Sequence, residues 1–246
     1  MTRTAERRLW PPLAGILLLG LAVPACRNPQ PDAPADARRT AAESTVPQTA
    51  SAATGPFWPT YHGSPALDGA AEVSLSDSLE PVWRVEVDAG VWNTPVTGED
   101  RVCVADTRGG IHALDWKGRE VWSKSFTEPA TTGTTPLPLS FDAPLALFDS
   151  TLIACAAGGE VYALDVANGS VRWMTDTDRP TLGTPNLSRT VVDGHARSRL
   201  FVLDQSAGAL QCLDFDSGRL LWVSADVDRC DGSPAVNDAF VAYGSC

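Results

Sequence analysis

The chain has 246 residues, with 30 acidic and 19 basic side chains and a formal net charge of −11. Because affinity for nucleic acid depends on clustered Lys and Arg, this charge argues against a protein that binds phosphate backbones. The hydrophobic content of 43% argues against wholesale disorder, and the 20 glycines and 19 prolines favour a turn-rich fold over long helices.

The first 25 residues have the organisation of an export signal. Three arginines in the first eight positions are followed by an apolar run of 11 residues from Leu13 to Val23. A membrane-spanning helix needs roughly 20 apolar residues, whereas the apolar region of a signal peptide has the length found here. We therefore predict a signal peptide over residues 1–25.

The residues around Cys26 resemble the lipobox of bacterial lipoproteins: Val23-Pro24-Ala25-Cys26 has an aliphatic residue, then a small one, directly before the cysteine. The resemblance implies that Cys26 is lipidated and becomes the mature N-terminus, and several acyl chains anchor a protein stably. Arg27, which follows, favours the outer membrane. The alternative is an ordinary cleaved signal in which Cys26 is incidental.

Residues 27–56 contain mainly Pro, Ala, Thr and Ser and almost no large apolar side chain. Burial of such a segment cannot offset the entropy of ordering it. We predict a disordered tether over residues 26–56.

The remainder repeats one unit. The segments 109–122, 158–173 and 207–222 share a small residue, an apolar alternation, Leu-Asp, a glycine and a tryptophan, and their Leu-Asp pairs lie 50 and 49 residues apart. Thr-Pro or Ser-Pro dipeptides recur upstream at residues 94, 135, 184 and 233, and tryptophans recur at 83, 122, 173 and 222. Landmarks that share one period indicate a repeat architecture.

Each unit contains four short segments of alternating hydrophobicity, which predicts four strands, named A to D, with strand A at the Thr-Pro landmark. Four-stranded antiparallel repeats of this length are propeller blades. We predict an all-β fold, an incomplete β-propeller of four-stranded antiparallel blades, with about three full blades, partial strands and a truncated chain. The expected bounds are a lead-in and D strand over 57–90, blades over about 91–126, 127–177 and 178–226, and a partial blade over 227–246.

The pattern of Gly, Ala-Leu-Asp, Gly and Trp resembles the pyrroloquinoline-quinone-type (PQQ-like) repeat family, and residues 58–65 are similar to its lead-in. The family contains quinoprotein dehydrogenases and non-enzymatic members, among them a lipoprotein of the outer-membrane β-barrel assembly machinery. A dehydrogenase would imply adjacent cysteines, a calcium site, a catalytic aspartate and a full ring of blades. No two cysteines are adjacent here, so the resemblance implies a protein without catalytic residues, metal or PQQ.

The repeated aspartates and tryptophans are predicted to be structural. An Asp after Leu accepts N–H bonds from its own turn, closed by the following glycine, and the tryptophans bury their area between blades. A ring of catalytic carboxylates or a quinone-stacking tryptophan is the less favoured interpretation. The turn residues are Asp115, Asp165, Asp214, Gly118, Gly169 and Gly218.

A second motif precedes two of the strands A, in the loop that follows strand D. Because strands alternate in direction, D–A and B–C loops share one rim of a propeller. We consider three interpretations: a solvated turn with internal Asp–Arg pairing, a rim that binds a partner, and a cation site, which would need further oxygen ligands. The residues are Asp176, Asp178, Arg179, Asp226, Asp228 and Arg229.

The opposite rim carries the A–B loops. Counted from the Thr-Pro landmarks, these loops are nine residues longer in the second and third units than in the first. We predict that the insertions, including Pro138 to Phe141, expose apolar residues for a partner.

Five cysteines remain beside Cys26. Cys103, Cys155 and Cys212 lie within predicted strands and are expected to be buried. If the strands of the fourth unit turn through residues 237–239, residue 236 opposes 240 and Cys230 opposes Cys246. This register predicts a disulfide between Cys230 and Cys246.

The sequence predicts an exported, lipid-anchored binding or scaffold protein of the cell envelope, with a protein partner and without nucleic acid. The resemblance extends this to a role in outer-membrane protein assembly at the periplasmic side. The alternatives are a propeller that senses a ligand or binds polysaccharide and, less favoured, a remnant of a quinoprotein dehydrogenase.

Overall fold

A computed structural model describes residues 57–244, except residues 72, 129–134, 193 and 238. The predicted signal peptide, the lipidation site Cys26, the tether and Cys246 lie outside the described residues. Within the described part of the chain, all regular secondary structure is β, and no helix long and apolar enough to cross a membrane is present.

The first sheet contains four strands in chain order: β1 (Val96–Thr97), β2 (Val102–Ala105), β3 (Gly110–Leu114) and β4 (Glu120–Ser125). Each pairs with the next in antiparallel fashion. The turn from β2 to β3 passes through Gly109, whose φ of +78° is disfavoured for other residues.

The second and third sheets repeat this order. The second consists of β5 (Ala146–Phe148), β6 (Thr151–Cys155), β7 (Glu160–Asp165) and β8 (Val171–Asp176). The third consists of β9 (Asn186–Val192), β10 (His195–Leu203), β11 (Leu210–Asp214) and β12 (Leu220–Val223).

A fourth, two-stranded sheet pairs β13 (Ala235–Val236) with β14 (Val241–Ala242). The described residues therefore form three four-stranded antiparallel blades and part of another. This arrangement confirms the predicted fold class, an incomplete β-propeller.

The core lies between successive blades. Because side chains alternate across a strand, Ile111 and Ala113 of β3 face the second blade, where they join Leu152 and Leu164 in one buried cluster. The second and third blades share a corresponding cluster, and a third cluster joins β10 and β11 to the fourth sheet. The second and third blades thus bury side chains on both faces, which explains why every residue of β6 is buried.

The tryptophans of the outer strands lie between blades, as predicted. Trp122 donates its indole N–H to the carbonyl oxygen of Val166 at 2.8 Å, and its ring packs where a Cβ on Gly169 would stand. Trp83 makes the same contact with the carbonyl of Trp116 at 3.0 Å. Trp83 thus occupies the repeat position although residues 81–92 form no strand.

The Leu-Asp aspartates have the predicted turn role. In the first blade, Asp115 accepts the N–H groups of Lys117 and Arg119 through Oδ1 at 2.8 and 3.0 Å. Bonds from the Arg119 backbone and guanidinium hold the pKa of Asp115 at about 2. Asp165 and Asp214 accept equivalent N–H bonds from Ala167 and Ser217.

The lead-in crosses the innermost strands of several blades. The carbonyl oxygens of Trp58 and Pro59 accept N–H bonds from Thr97 of β1 at 2.9 Å and Leu147 of β5 at 2.7 Å. Pro65 accepts the N–H of Val236 at 2.7 Å and the side-chain amide of Asn186 at 2.7 Å. Residues 58–65 thereby connect four blades across their inner edges.

The predicted position of strand A in the second unit is wrong. The spacing places it at the Thr-Pro of residue 135, but β5 begins at Ala146, after Pro144. Residues 135–145 instead connect the first blade to the second. Leu139 and Phe141 of this connection are buried (5% and 3% exposed), so the predicted apolar insertion belongs to the core.

The extra residues of the third unit do lie between its strands A and B. They lengthen the hairpin of β9 and β10, which pair over seven residue pairs from Asn186–Phe201 to Val192–His195. Val191 in this hairpin is 73% exposed.

Candidate binding rim

One end of the blades carries the B–C turns and the D–A connections. We refer to residues 106–109, 156–159, 177–185, 204–209 and 224–234 as the acidic rim. The acidic rim contains five of the six residues of the repeated Asp-x-Asp-Arg motif. The sixth, Asp176, is the last residue of β8 and directly precedes the rim residues 177–185.

Arg179 joins residues from both sides of a blade boundary. Its Nη1 lies 2.6 Å from Oδ2 of Asp204 and 3.8 Å from Oδ1 of Asp226. The side chain of Asp204 is 1% exposed, whereas that of Asp226 is 68% exposed. One guanidinium therefore links a buried carboxylate of the third blade to an exposed carboxylate of the next connection.

Asp204 is held in its ionised form. Burial raises its pKa, but hydrogen bonds from the Ser206 hydroxyl, the Arg179 guanidinium and the N–H groups of Ser206 and Ala207 outweigh burial and leave the pKa below its usual value. A carboxylate with this many donors fixes the positions of the groups around it.

The other motif residues are exposed. Asp176 accepts the N–H of Asp178 at 2.8 Å, and Asp178 adopts a φ of +54°. Asp228 accepts the N–H of Arg229 at 2.8 Å, and Arg229 forms two bonds to Asp231 at 3.0 and 2.9 Å. The internal Asp–Arg pairing of the first interpretation thus occurs between Arg229 and Asp231, a residue outside the predicted motif.

Backbone bonds tie these loops together. The N–H of Gln205 donates to Pro180 at 2.8 Å, and the carbonyl of Gln205 accepts the N–H of Cys230 at 3.0 Å. Val227 donates to Ala207 at 3.0 Å. The exposed carboxylates are therefore presented by a fixed frame.

A cleft of about 360 Å³ opens beside these loops. Asp142 and Asp231 contribute carboxylates to its lining, and Tyr61 of the lead-in and Leu182 contribute apolar surface. The cleft is thus acidic with an apolar wall, a combination that suits a basic, partly apolar side chain of a partner.

The first blade carries a buried histidine at the same end. His112 Nε2 lies 3.0 Å from Oδ2 of Asp106, and Nδ1 lies 3.3 Å from Oε2 of Glu120. Burial raises the pKa of Asp106, but bonds from His112 and the N–H groups of Gly110 and Arg108 outweigh it, so this pKa is lowered. Bonds from Ser123 and His112 lower the pKa of Glu120.

Sequence reasoning missed Asp106 and Asp204. Each directly follows strand B of its blade, and the two lie 98 residues apart, twice the repeat period. Aligning the ends of strands B would have found them. In the second blade, the residue that directly follows strand B is Ala156. A search for an aspartate in every repeat therefore overlooks the pattern.

The residues do not fit the quinone and metal chemistry of the dehydrogenases. The sequence has no adjacent cysteines, and the part of the chain that the structure describes contains no group of three or more His, Cys, Asp or Glu side chains arranged to hold a metal ion.

The register on which the predicted disulfide rested is wrong. Val236 pairs with Val241, not with residue 240, because the Asn237 side chain accepts N–H bonds from Ala239 and Phe240 and lengthens the turn. Cys230 is buried, and its Sγ contacts the carbonyl oxygen of Gly244. Since Cys246 lies outside the described residues, its pairing with Cys230 stays a prediction.

A family model described as outer membrane protein assembly factor BamB matches residues 66–245. The chain belongs to the BamB family. It is 28% identical over 176 residues to the outer membrane protein assembly factor BamB of Bordetella pertussis, an alignment that covers 70% of this chain. The chain spans 43% of the length of that BamB.

Solved structures confirm the propeller fold of this BamB-family chain. Quinohemoprotein alcohol dehydrogenase from Comamonas testosteroni superposes with a TM-score of 0.51 at 22% identity, over 71% of this chain and 28% of the dehydrogenase. A europium-containing methanol dehydrogenase superposes with a TM-score of 0.52 at 16% identity, over 71% of this chain and 33% of the enzyme. At these identities, the similarity concerns the fold alone.

Proposed function

We propose that this chain is a non-catalytic binding and scaffold protein of the cell envelope that acts in outer-membrane protein assembly. Membership of the BamB family supports this proposal. The observation that carries it is the arrangement around Arg179, which links the buried carboxylate of Asp204 to the exposed carboxylate of Asp226 on the next connection.

The acidic rim is the surface proposed to contact the partner. Asp226 and Asp228 are exposed, while backbone bonds between neighbouring loops hold their positions. A preorganised set of like charges favours a partner with complementary Lys or Arg and limits the entropy lost on binding. We infer a protein partner with a basic contact surface.

The test is co-purification of the chain with the β-barrel assembly complex from envelope extracts. Reversing both charges with Asp226→Arg and Asp228→Arg is expected to reduce recovery of the complex at least fivefold. The matched control is Asp216→Arg, an exposed aspartate in the C–D turn at the opposite end of the third blade. Equal recovery with the rim variant and with the control would contradict the proposed role of the rim.

Membrane attachment through Cys26 is part of the same proposal. The signal peptide over residues 1–25 and the tether over 26–56 would place the propeller of residues 57–246 at a distance from the membrane, with the outer membrane as the expected location. Cys26→Ala is expected to move the protein to the soluble envelope fraction. Persistent membrane association of this variant would refute the anchor.

Two assays separate this function from its alternatives. Specific binding on a glycan array, without recovery of the assembly complex, would favour a polysaccharide-binding propeller. Quinone-dependent dye reduction would favour a dehydrogenase remnant. The proposed scaffold function predicts neither result.

A further inference from the structure

The hairpin of β9 and β10 extends beyond its own blade. β10 pairs with β9 from His195 onward, but its pairing with β11 begins only at Arg199. Residues 195–198 therefore have β9 as their only ladder partner among the described strands. We call residues 188–192 and 195–199 the β9–β10 ribbon.

The two faces of the ribbon differ. The face with Val191 and Ala196 also carries Arg189, whose Nη1 lies 3.2 Å from Oδ1 of Asp149 on the second blade. This ion pair directs the first face toward the second blade. The second face therefore points the other way, toward the side of the fourth sheet.

The second face is cationic and polar. Because alternate residues of a strand share a face, His195, Arg197 and Arg199 form a row along β10, about 6.8 Å apart at roughly 3.4 Å per residue. Thr190 lies opposite Arg197, and Ser188 lies opposite Arg199, so hydroxyl groups stand beside the row.

The charge of this hairpin is opposite to that of the chain. Residues 186–203 contain three arginines and one aspartate, a net charge of +2, whereas the whole chain carries −11. Arg199 is half-buried, with Nη1 4.0 Å from Sγ of Cys212. Arg197 and His195 are exposed, and no described residue forms an ion pair with either.

We propose that the second face of the β9–β10 ribbon binds an acidic, extended segment of a protein partner. Carboxylates at alternate positions of an extended chain repeat at the same spacing of about 6.8 Å as the cationic row. The backbone edge of residues 195–197 also lacks a strand beside it, since the N–H of Phe215 already bonds to Ser198 at 3.2 Å and β11 ends there. An extended segment can continue the sheet at this edge and place its carboxylates over Arg197.

This inference rests on the proposed function in one respect, namely that the partner is a protein. The β9–β10 ribbon lies at the end of the third blade opposite to the acidic rim. A partner with both a basic surface and an acidic strand would contact both ends. The two surfaces are tested by different variants, so failure of one leaves the other standing.

The probe is a fluorescently labelled peptide of eight residues that alternates glutamate and threonine, with an alternating lysine–threonine peptide as control. We expect fluorescence anisotropy at 50 mM salt to detect binding of the acidic peptide only. Raising the salt to 300 mM should weaken it severalfold, because exposed charges are screened. Arg197→Glu is expected to lower the affinity at least fivefold.

The matched control is Lys117→Glu, which reverses one exposed charge in the C–D turn of the first blade, at the same end of the propeller. Its affinity is expected to stay within twofold. Absence of binding to the acidic peptide, or equal losses in both variants, would overturn the proposal. So would binding to phosphatidylglycerol vesicles with the same sensitivity to Arg197→Glu, because the ribbon would then recognise a lipid surface. The double variant Asp226→Arg, Asp228→Arg is expected to bind the acidic peptide as tightly as the parent protein. This result is expected even if the rim has no role in binding the assembly complex.

Discussion

Trp173 of the second blade packs directly against Gly218 of the third. Its indole N–H donates to the carbonyl of Phe215 at 2.9 Å, and a Cβ on Gly218 would stand 2.4 Å from Cε3 of the ring. Gly218 also has a φ of +72°, so glycine is required here by both backbone and packing.

Replacing Gly218 with alanine should therefore disturb the packing of Trp173 between the second and third blades. We expect Gly218→Ala to lower the free energy of unfolding by about 2–4 kcal/mol, the sum of left-handed backbone strain and overpacking. Gly194 is the matched control: its φ is +75°, but nothing lies within 4 Å of its added Cβ. Gly194→Ala should cost only about 1 kcal/mol of backbone strain in chemical denaturation. Equal losses would show that the contact with Trp173 contributes nothing.

The bond between Arg179 and Asp204 predicts a pH-dependent stability. Because the pKa of Asp204 is lowered in the folded protein, its contribution is fully present above the unfolded value of about 4 and is lost as pH falls through the folded pKa. Asp204→Asn should cost about 2 kcal/mol at pH 7, as expected for hydrogen bonds to a buried charge. The difference from the parent protein should shrink between pH 5 and pH 2, and a constant difference would contradict an ionised Asp204.

Gln211 is buried in β11, and neither of its side-chain polar atoms has a partner among the described residues. An apolar residue of similar size avoids the cost of desolvating this amide. We expect Gln211→Leu to raise the free energy of unfolding by about 1–2 kcal/mol, measured by thermal and chemical denaturation. A lower stability would mean that the amide is satisfied in solution by a buried water.

Asn186 connects the lead-in to two blades. Its Nδ2 donates to the carbonyls of Pro65 and Pro234 at 2.7 and 2.8 Å, and its side chain is fully buried. Asn186→Ala should cost about 2–3 kcal/mol, because it removes the side-chain donor to the buried carbonyl of Pro234 and one of the two donors to the carbonyl of Pro65. It should also accelerate proteolytic cleavage near residue 65. Unchanged cleavage would indicate that the lead-in is held by its other bonds alone.

The buried thiols should be unreactive. Burial raises the pKa of Cys103 and Cys155 to about 12, so both should resist a thiol reagent at pH 8 in the native protein. In the denatured, non-reduced Cys26→Ser chain, a disulfide between Cys230 and Cys246 leaves three of the five cysteines reactive. A count of five would refute that disulfide.

Regular spacing made much of the fold predictable from the sequence. The Leu-Asp turns and the interblade tryptophans recur in each of the three four-stranded blades because each blade must present the same surface to its neighbour. The strand A of the second unit was misplaced because Thr-Pro at residue 135 recurs by coincidence. The true landmark, Pro144, lies 49 residues after Pro95 but follows an alanine.

The site was less predictable because its contacts cross between blades. Pairing of Arg179 within its own motif is one of the three interpretations of the sequence, yet the carboxylate closest to Arg179 is Asp204, 25 residues later in the chain. No local pattern specifies such a pair, since it depends on the distance between two loops of adjacent blades. A one-residue difference in turn length likewise shifted the register between Val236 and Val241.

The lead-in has a consequence for the order of folding. The bond from Asn186 to Pro65 spans 121 residues, whereas the strands within each blade are neighbours in the chain. Closing a long loop is slow and brings no gain until both ends are formed, so the hairpins of the blades should form first and the lead-in should dock last. Nascent chains whose blades have formed should therefore pass through a state in which the inner strand edges are still open. In that state the lead-in, which is synthesised before the blades, docks after them.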